Sequence, residues 1–220
     1  MDYPTFYSKF SGSYRTKHLN SPFDTVFKRT TANKRSYFLH SKTTIPAEFM
    51  RMEPWEGEYL FMLAARAKIG IVEVGRFNGG SLFLMASAND KVPLHSVDIA
   101  PQNDKLLKSL LAENAIGSNA NIIVGDSQNT KYGEIGPIDL LFIDGDHSYE
   151  GCTKDLENWF EKVVPGGHIV LHDCYHGCPV LDSVLDFAAN HPVRFVNSPY
   201  IGAQHWLVPT GSMVHLVKTA

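Results

Sequence analysis

Acidic side chains recur where apolar runs stop. Ile71–Val74 carries Glu73 and leads into Gly75, Leu94–Asp98 ends on Asp98, and Asn121–Val124 is followed by Asp126. Ile138–Ile143 gives way to Asp144 and Asp146, and His168–Leu171 to His172 and Asp173. Carboxylates can grip hydroxyl groups and hold hard cations, and an imidazole beside them can move a proton. Five such ends in succession are improbable by chance, so they form the sequence's strongest chemical signal.

The runs themselves are short and apolar, as strands buried on both faces are. Between them lie helical patterns. Trp55, Tyr59, Met62, Leu63 and Arg66 follow Pro54 at helical spacing, with Glu56 and Glu58 near the positive end. Ser81–Ala88, Asp104–Glu113 and Val180–Ala189 read as helices, and Tyr149–Val163 carries a stripe from Tyr149 through Cys152, Leu156, Trp159 and Phe160 to Val163. Pro165-Gly166-Gly167 reads as a turn, and Val193–Val196 with segments inside Ala203–Leu207 and Met213–Val217 close the sheet. Alternation with short connections predicts an α/β fold with a doubly wound, Rossmann-like sheet. Ligands of such sheets sit beyond the carboxyl ends of the strands, where the acids are.

Composition narrows the classes. The chain has 220 residues, 44% hydrophobic and 20% charged, with a net charge of −3, which suits one globular domain and not a nucleic-acid-coating protein. The longest uninterrupted apolar run, Tyr59–Ala65, is far short of a membrane span, and the N-terminus lacks a secretory pattern. Three cysteines do not make a disulfide framework, so a soluble, cytoplasmic protein is expected. Residues 1–45 differ from the rest: eight Lys and Arg stand against two Asp, interleaved with nine aromatics and no sustained period. We read residues 1–45 as a basic, aromatic arm, a lid over the pocket or a contact for a homo-oligomer, and 46–220 as the catalytic domain. Arg35, Lys34 or Lys42 would meet an anionic substrate group there.

The first strand-end loop is Glu73-Val74-Gly75-Arg76-Phe77-Asn78-Gly79-Gly80-Ser81. Glycines let a ligand approach the backbone ahead of a helix N-terminus. Phe77 breaks the dinucleotide pattern and Glu73 would repel a diphosphate, which disfavours the alternative of a nicotinamide-dependent oxidoreductase. Asp98 sits where a ribose diol is usually held, although an acid there also caps helices.

E-V-G-R-F-N-G-G-S, followed by V-D-I, G-D-S and F-I-D-G-D-H-S-Y-E-G, resembles the class I S-adenosylmethionine-dependent methyltransferases. The nearest group is the small-molecule O-methyltransferases of macrolide-sugar and catechol type, and the likeness spans roughly Trp55–Val208. It implies a mostly parallel seven-stranded sheet with a reversed last strand. It also implies S-adenosylmethionine as cofactor and a hydroxyl of a small molecule, sugar or phenolic, as acceptor, with neither nucleic acid nor membrane as partner. Cofactor contacts fall to the loop, with Glu73, Gly75 and Gly79 along the methionine part and Asn78, Gly80 and Ser81 beside them. Asp98 would hold the ribose, and Asp126 with Ser127 would flank the adenine.

In metal-dependent members of that group, the acid ending strand four and two groups ending strand five hold a divalent cation. The matching positions are Asp144 with His172-Asp173 or with Asp173-Cys174; the first set is adopted, with Mg²⁺ or Mn²⁺ as the ion. His172 departs from the acid that sugar-type relatives carry, and would favour a transition metal such as Mn²⁺ or Fe²⁺. His147 falls where catechol-type relatives place a lysine, and is taken as the catalytic base beside Asp144, with His172 and His176 in reserve. The alternative for His147 is a polar residue at a helix start that contacts backbone. His172-x-Cys174-x-His176-x-Cys178 lacks the spacing of paired zinc knuckles, and alternate residues of an extended segment point to opposite faces. A member that binds cofactor without turnover is the remaining alternative.

Overall fold

The computed structural model describes residues 49–52, 54–175, 177–196 and 212–220. The expected arm, His176 and the strand expected within 203–207 lie outside them.

Period-two alternation in short apolar strands builds the centre. In β1 (Ile71–Val74) all four residues are buried, because helices cover both faces. It pairs in parallel with β2 (Leu94–Asp98) on one side and β4 (Ile138–Ile143) on the other. β3 (Ala120–Val124) extends the sheet beyond β2, and β5 (Val163–Leu171) beyond β4. The order is β3-β2-β1-β4-β5-β7-β6. β7 (Val214–Lys218) runs antiparallel to both β5 and the edge strand β6 (Val193–Phe195), so the expected seven strands with a reversed last one are present.

Two cores flank the sheet. On one face, Ile71, Leu94, Leu140 and Phe142 pack under α1 (Pro54–Arg66), α2 (Gly80–Ala88) and α3 (Asp104–Glu113). On the other, Val72, Val74, Leu141 and Ile143 meet α4 (Tyr149–Phe160) and α5 (Pro179–Asn190), with Trp159 fully buried. Amphipathic α4 starts at Ser148, whose hydroxyl accepts from Gly151 N. α2 is apolar on every side and buries eight of its nine residues.

One boundary differs from the pattern. The α4 stripe includes Val163, yet the helix stops at Phe160 and Val163 opens β5, paired with Ile138. The intervening Pro165-Gly166-Gly167 forms an irregularity inside the strand, because the register shifts between Ile138 and Leu140. Sheet pairing outweighs helical periodicity there.

The chain leaves β3 and returns to β4 beside β1, so strand order reverses between β1 and β4. Crossovers leave on opposite faces at that point and open a crevice at the carboxyl ends.

Candidate active site

A cleft of about 770 Å³ fills that crevice. Every strand end from β1 to β5 contributes to it: Gly75 and Phe77, Asp98, Asp126 with Ser127, Asp144 with Asp146 and His147, and His172 with Asp173. The one acidic strand end absent from its wall is Glu73.

Alternation explains why. Glu73 shares its face with Ile71, so its side chain enters the layer between β1 and α2 and is completely buried. Its carboxylate accepts from the hydroxyls of Ser81 on α2 and Ser96, its cross-strand neighbour on β2. Burial drives its pKa up to about 7, against the pull of the two serines. Glu73 and Ser81 thus hold the loop from beneath. Asn78 is buried too and accepts from the Asn103 amide at 2.6 Å.

The glycines divide the work. Gly75 (φ 81°) meets the cleft, and a Cβ on it would lie 2.2 Å from Asp144 O, so nothing larger fits where β1 and β4 diverge. Gly79 precedes α2 as its cap, and Gly80 lets Phe49 and Met50 cross the start of that helix: its Cβ would be 2.6 Å from Met50 Cα. Of the loop residues expected at the cofactor, Gly75 lines the cleft, whereas Glu73, Asn78, Gly79, Gly80 and Ser81 are not on its wall.

Arg76 is the residue that sequence reasoning passed over. Its guanidinium is buried, paired in fork geometry with Asp104 at 2.8 and 2.6 Å, and donates to Ser96 O and Ile123 O. It ties the loop to β2, β3 and α3. Asp98 completes the turn: one oxygen accepts from Arg76 N and Phe77 N, the other from Ala100 N. Its lining position leaves it beside the cleft as well.

At the β3 end, Asp126 accepts from Gln128 N, and Ser127 donates to Asp155 at 2.6 Å. The Ser127 carbonyl is fixed by Asn158 and by the Trp159 indole. Asp155, on α4, lines the cleft though nearly all of it is buried; burial lifts its pKa to about 6.

At the β4–β5 end, four groups converge. His147 Nε2 lies 3.5 Å from Asp144 Oδ1 and 3.4 Å from Asp173 Oδ2. His172 Nδ1 lies 3.4 and 3.5 Å from the same two oxygens. Asp144, His147 and Asp173 place one donor atom each within 4.8 Å of one another, a spacing a cation could bridge. That group takes His147 where His172 was expected, and His172 Nδ1 faces the same two carboxylate oxygens of the expected pair. His172 is buried, whereas half of the His147 side chain is exposed. His172 Nδ1 has no hydrogen-bond partner, an orphaned buried atom aimed between two carboxylates, so the residues fit a cation.

The four groups also set one another's charge. Burial alone would keep His172 neutral, but the carboxylates of Asp144 and Glu56 outweigh it and hold its pKa well above the usual value. Contact with Asp144 raises that of His147. Burial opposes ionisation of Asp144, yet the His172 charge prevails and lowers its pKa, and His172 lowers that of Asp173 directly. Asp173 is held at φ 56°, a left-handed conformation that is uncommon outside glycine. Cys174 turns inward, and all three cysteines are free and buried, which leaves Asp173 and not Cys174 at the cleft.

The comparisons with known proteins join this geometry. Residues 72–174 match the family model described as a methyltransferase domain. Over this segment the chain is similar to methyltransferase domains. Over 110 residues it is 37% identical to an uncharacterized protein of Acanthamoeba polyphaga mimivirus, covering 46% of this chain and 50% of that one. A protein of Mycobacterium sp. (strain JLS), named as a candidate O-methyltransferase, is 30% identical over 146 residues, covering 64% of this chain and 65% of its own. The chain thus spans between half and two thirds of the length of these two relatives. Among solved structures, the O-methyltransferase TomG from Streptomyces achromogenes, in complex with S-adenosylmethionine, superposes with a TM-score of 0.61 at 18% identity, covering 90% of this chain and 96% of TomG. At that identity the likeness shows a shared fold. The matched segment runs from β1 to the end of β5, and so contains the glycine turn, the Asp98 turn and the Asp144–Asp173 cluster. Among the described residues, no helix is long and apolar enough to cross a membrane.

Proposed function

We propose that the protein transfers the methyl group of S-adenosylmethionine to a hydroxyl of a small molecule, with a divalent cation held at the β4–β5 end of the cleft. The observation that carries this reading is the convergence of Asp144, His147, His172 and Asp173 in the cleft that Gly75 and Asp98 open at the switch point. When bound, S-adenosylmethionine supplies an electrophilic methyl group, and a divalent cation lowers the pKa of the acceptor hydroxyl.

The chain's own residues have separable tasks. Gly75 admits the cofactor to the backbone, Asp98 is placed for the ribose hydroxyls, and Asp126 with Ser127 stands at the adenine end. Asp144, Asp173 and His172 would hold the cation; His172 is the resident nitrogen, being buried with Nδ1 committed to no other partner. His147, half exposed, can turn toward an acceptor, and its Nε2 takes the hydroxyl proton as the C–S bond breaks and the C–O bond forms. The electron pair of the broken bond stays on sulfur. Six carboxylates line the cleft, from Asp98, Asp126, Asp144, Asp146, Asp155 and Asp173, against Arg51 and the two histidines. Such a wall repels a phosphodiester backbone and suits a neutral or cationic acceptor, such as a sugar or phenol. The arm, 1–45, is proposed as the lid that completes the acceptor pocket.

Methyl transfer to a panel of diols and phenols, with Mn²⁺, Mg²⁺ or a chelator, tests the reading. His147→Gln is expected to lower kcat by about 10²- to 10⁴-fold while leaving affinity for S-adenosylhomocysteine unchanged. Asp144→Asn is expected to abolish stimulation by metal. Full turnover by both variants would remove the cluster from the chemistry.

A further inference from the structure

His172 has a second neighbour outside the cleft. Its Nε2 lies 3.1 Å from Glu56 Oε2, on α1, 116 residues away in sequence. Glu56 is buried at 3% exposure, and its other oxygen accepts from Ser212 N at 2.6 Å and Ser212 Oγ at 2.8 Å. Ser212 O in turn accepts from Cys174 N, next to Asp173. An ionised Glu56 can only accept, so with Glu56 as the carboxylate this contact takes a proton from His172 Nε2. That fixes the ring's orientation and turns Nδ1 toward Asp144 and Asp173.

The distances on the Nδ1 side, like those from His147 Nε2 to the same two oxygens, match the spacing of ligands around an ion. A charged imidazolium hydrogen-bonded to a carboxylate settles at about 2.7–2.9 Å. Here both separations are longer, at 3.4 and 3.5 Å, and nearly equal. Donor atoms about 2.0–2.2 Å from a common tetrahedral centre lie roughly 3.3–3.6 Å apart. The arrangement is that of ligands spaced for an ion, with a carboxylate behind the histidine. Such an outer carboxylate sets the tautomer and raises the basicity of the ligating nitrogen.

The geometry points to Glu56 as a positioning residue that commits His172 to bind through Nδ1, and so tunes the site for a first-row transition metal over Mg²⁺. This rests on the cation reading above. An imidazole donor favours Mn²⁺, Fe²⁺, Co²⁺ or Zn²⁺, whereas Mg²⁺ prefers oxygen and keeps its water.

Co²⁺ is the probe, because its visible absorption reports nitrogen coordination without any turnover. The full chain is titrated with Co²⁺ alone and then with Mg²⁺ as competitor, and Glu56→Gln and His172→Asn are treated identically after their melting curves are recorded. The wild type is expected to bind Co²⁺ and to retain it in a hundredfold excess of Mg²⁺. Glu56→Gln should weaken Co²⁺ by about 10- to 100-fold and shift the spectrum. His172→Asn, which offers an amide oxygen in place of Nδ1, should lose the Co²⁺ preference while keeping its Mg²⁺ affinity; it serves if Glu56→Gln does not fold. Unchanged Co²⁺ affinity and spectrum in either folded variant would overturn the role given to Glu56 and His172, and displacement by equimolar Mg²⁺ would overturn the selectivity. A wild type that binds neither ion would overturn the cation reading itself.

Discussion

Glu73 illustrates how a strand-end acid can support a cleft from beneath its wall. Its carboxyl is enclosed between β1 and α2, and burial raises its pKa from the usual carboxylate range to about 7. The folded state therefore binds this proton more tightly than the unfolded state, and stability is highest below the unfolded pKa. It falls as pH rises through the window from about 4.5 to 7, by about 3 kcal/mol in all. Glu73→Gln keeps partners for both serines and removes the ionisation. Chemical denaturation between pH 5 and 8 should show a falling wild-type stability and a flatter curve for Glu73→Gln, which should be the more stable at pH 8. Parallel curves would mean that Glu73 is not enclosed. The acid was legible in the sequence as a strand-end residue, but its direction was not used: sharing a face with Ile71 is what takes it away from the cleft. Glu56 was read as a helix-start acid favoured by the macrodipole. Its partners His172 and Ser212 are 116 and 156 residues distant, and local pattern carries no trace of them.

Among the elements, the β1–α2 loop depends on Arg76 as well as on its glycines. A charged residue in a turn reads as solvated, and no spacing rule announces that this one is buried with Asp104 and two carbonyls. Arg76→Leu strands a carboxylate and two backbone oxygens, so it should cost about 3 kcal/mol by chemical denaturation, toward the low end because Asp104 is partly exposed. A loss below about 1 kcal/mol would show that the clamp is not structural. Elements with a clean period were legible to the residue: β1, β2, β4 and α3 have the expected bounds. The α4–β5 junction was not, because Val163 satisfies both a helical stripe and a strand position, and pairing with Ile138 decides between them.

For the whole molecule, the sheet order brings groups from five strand ends into one cleft. Alternation of strand and helix made that architecture readable, and the acids marked its functional edge. Which acids face the cleft depended on side-chain direction, and the joining of His147 to Asp144, His172 and Asp173 depended on adjacent β4 and β5. The central claim is that this cleft binds S-adenosylmethionine, and calorimetric titration of the full chain with S-adenosylhomocysteine tests it most directly, with NAD(H) as control. Saturable one-to-one binding of the thioether, weakened at least tenfold by Asp98→Ala and absent for NAD(H), is the expected result. No binding of S-adenosylhomocysteine, with or without Mn²⁺, would contradict the account.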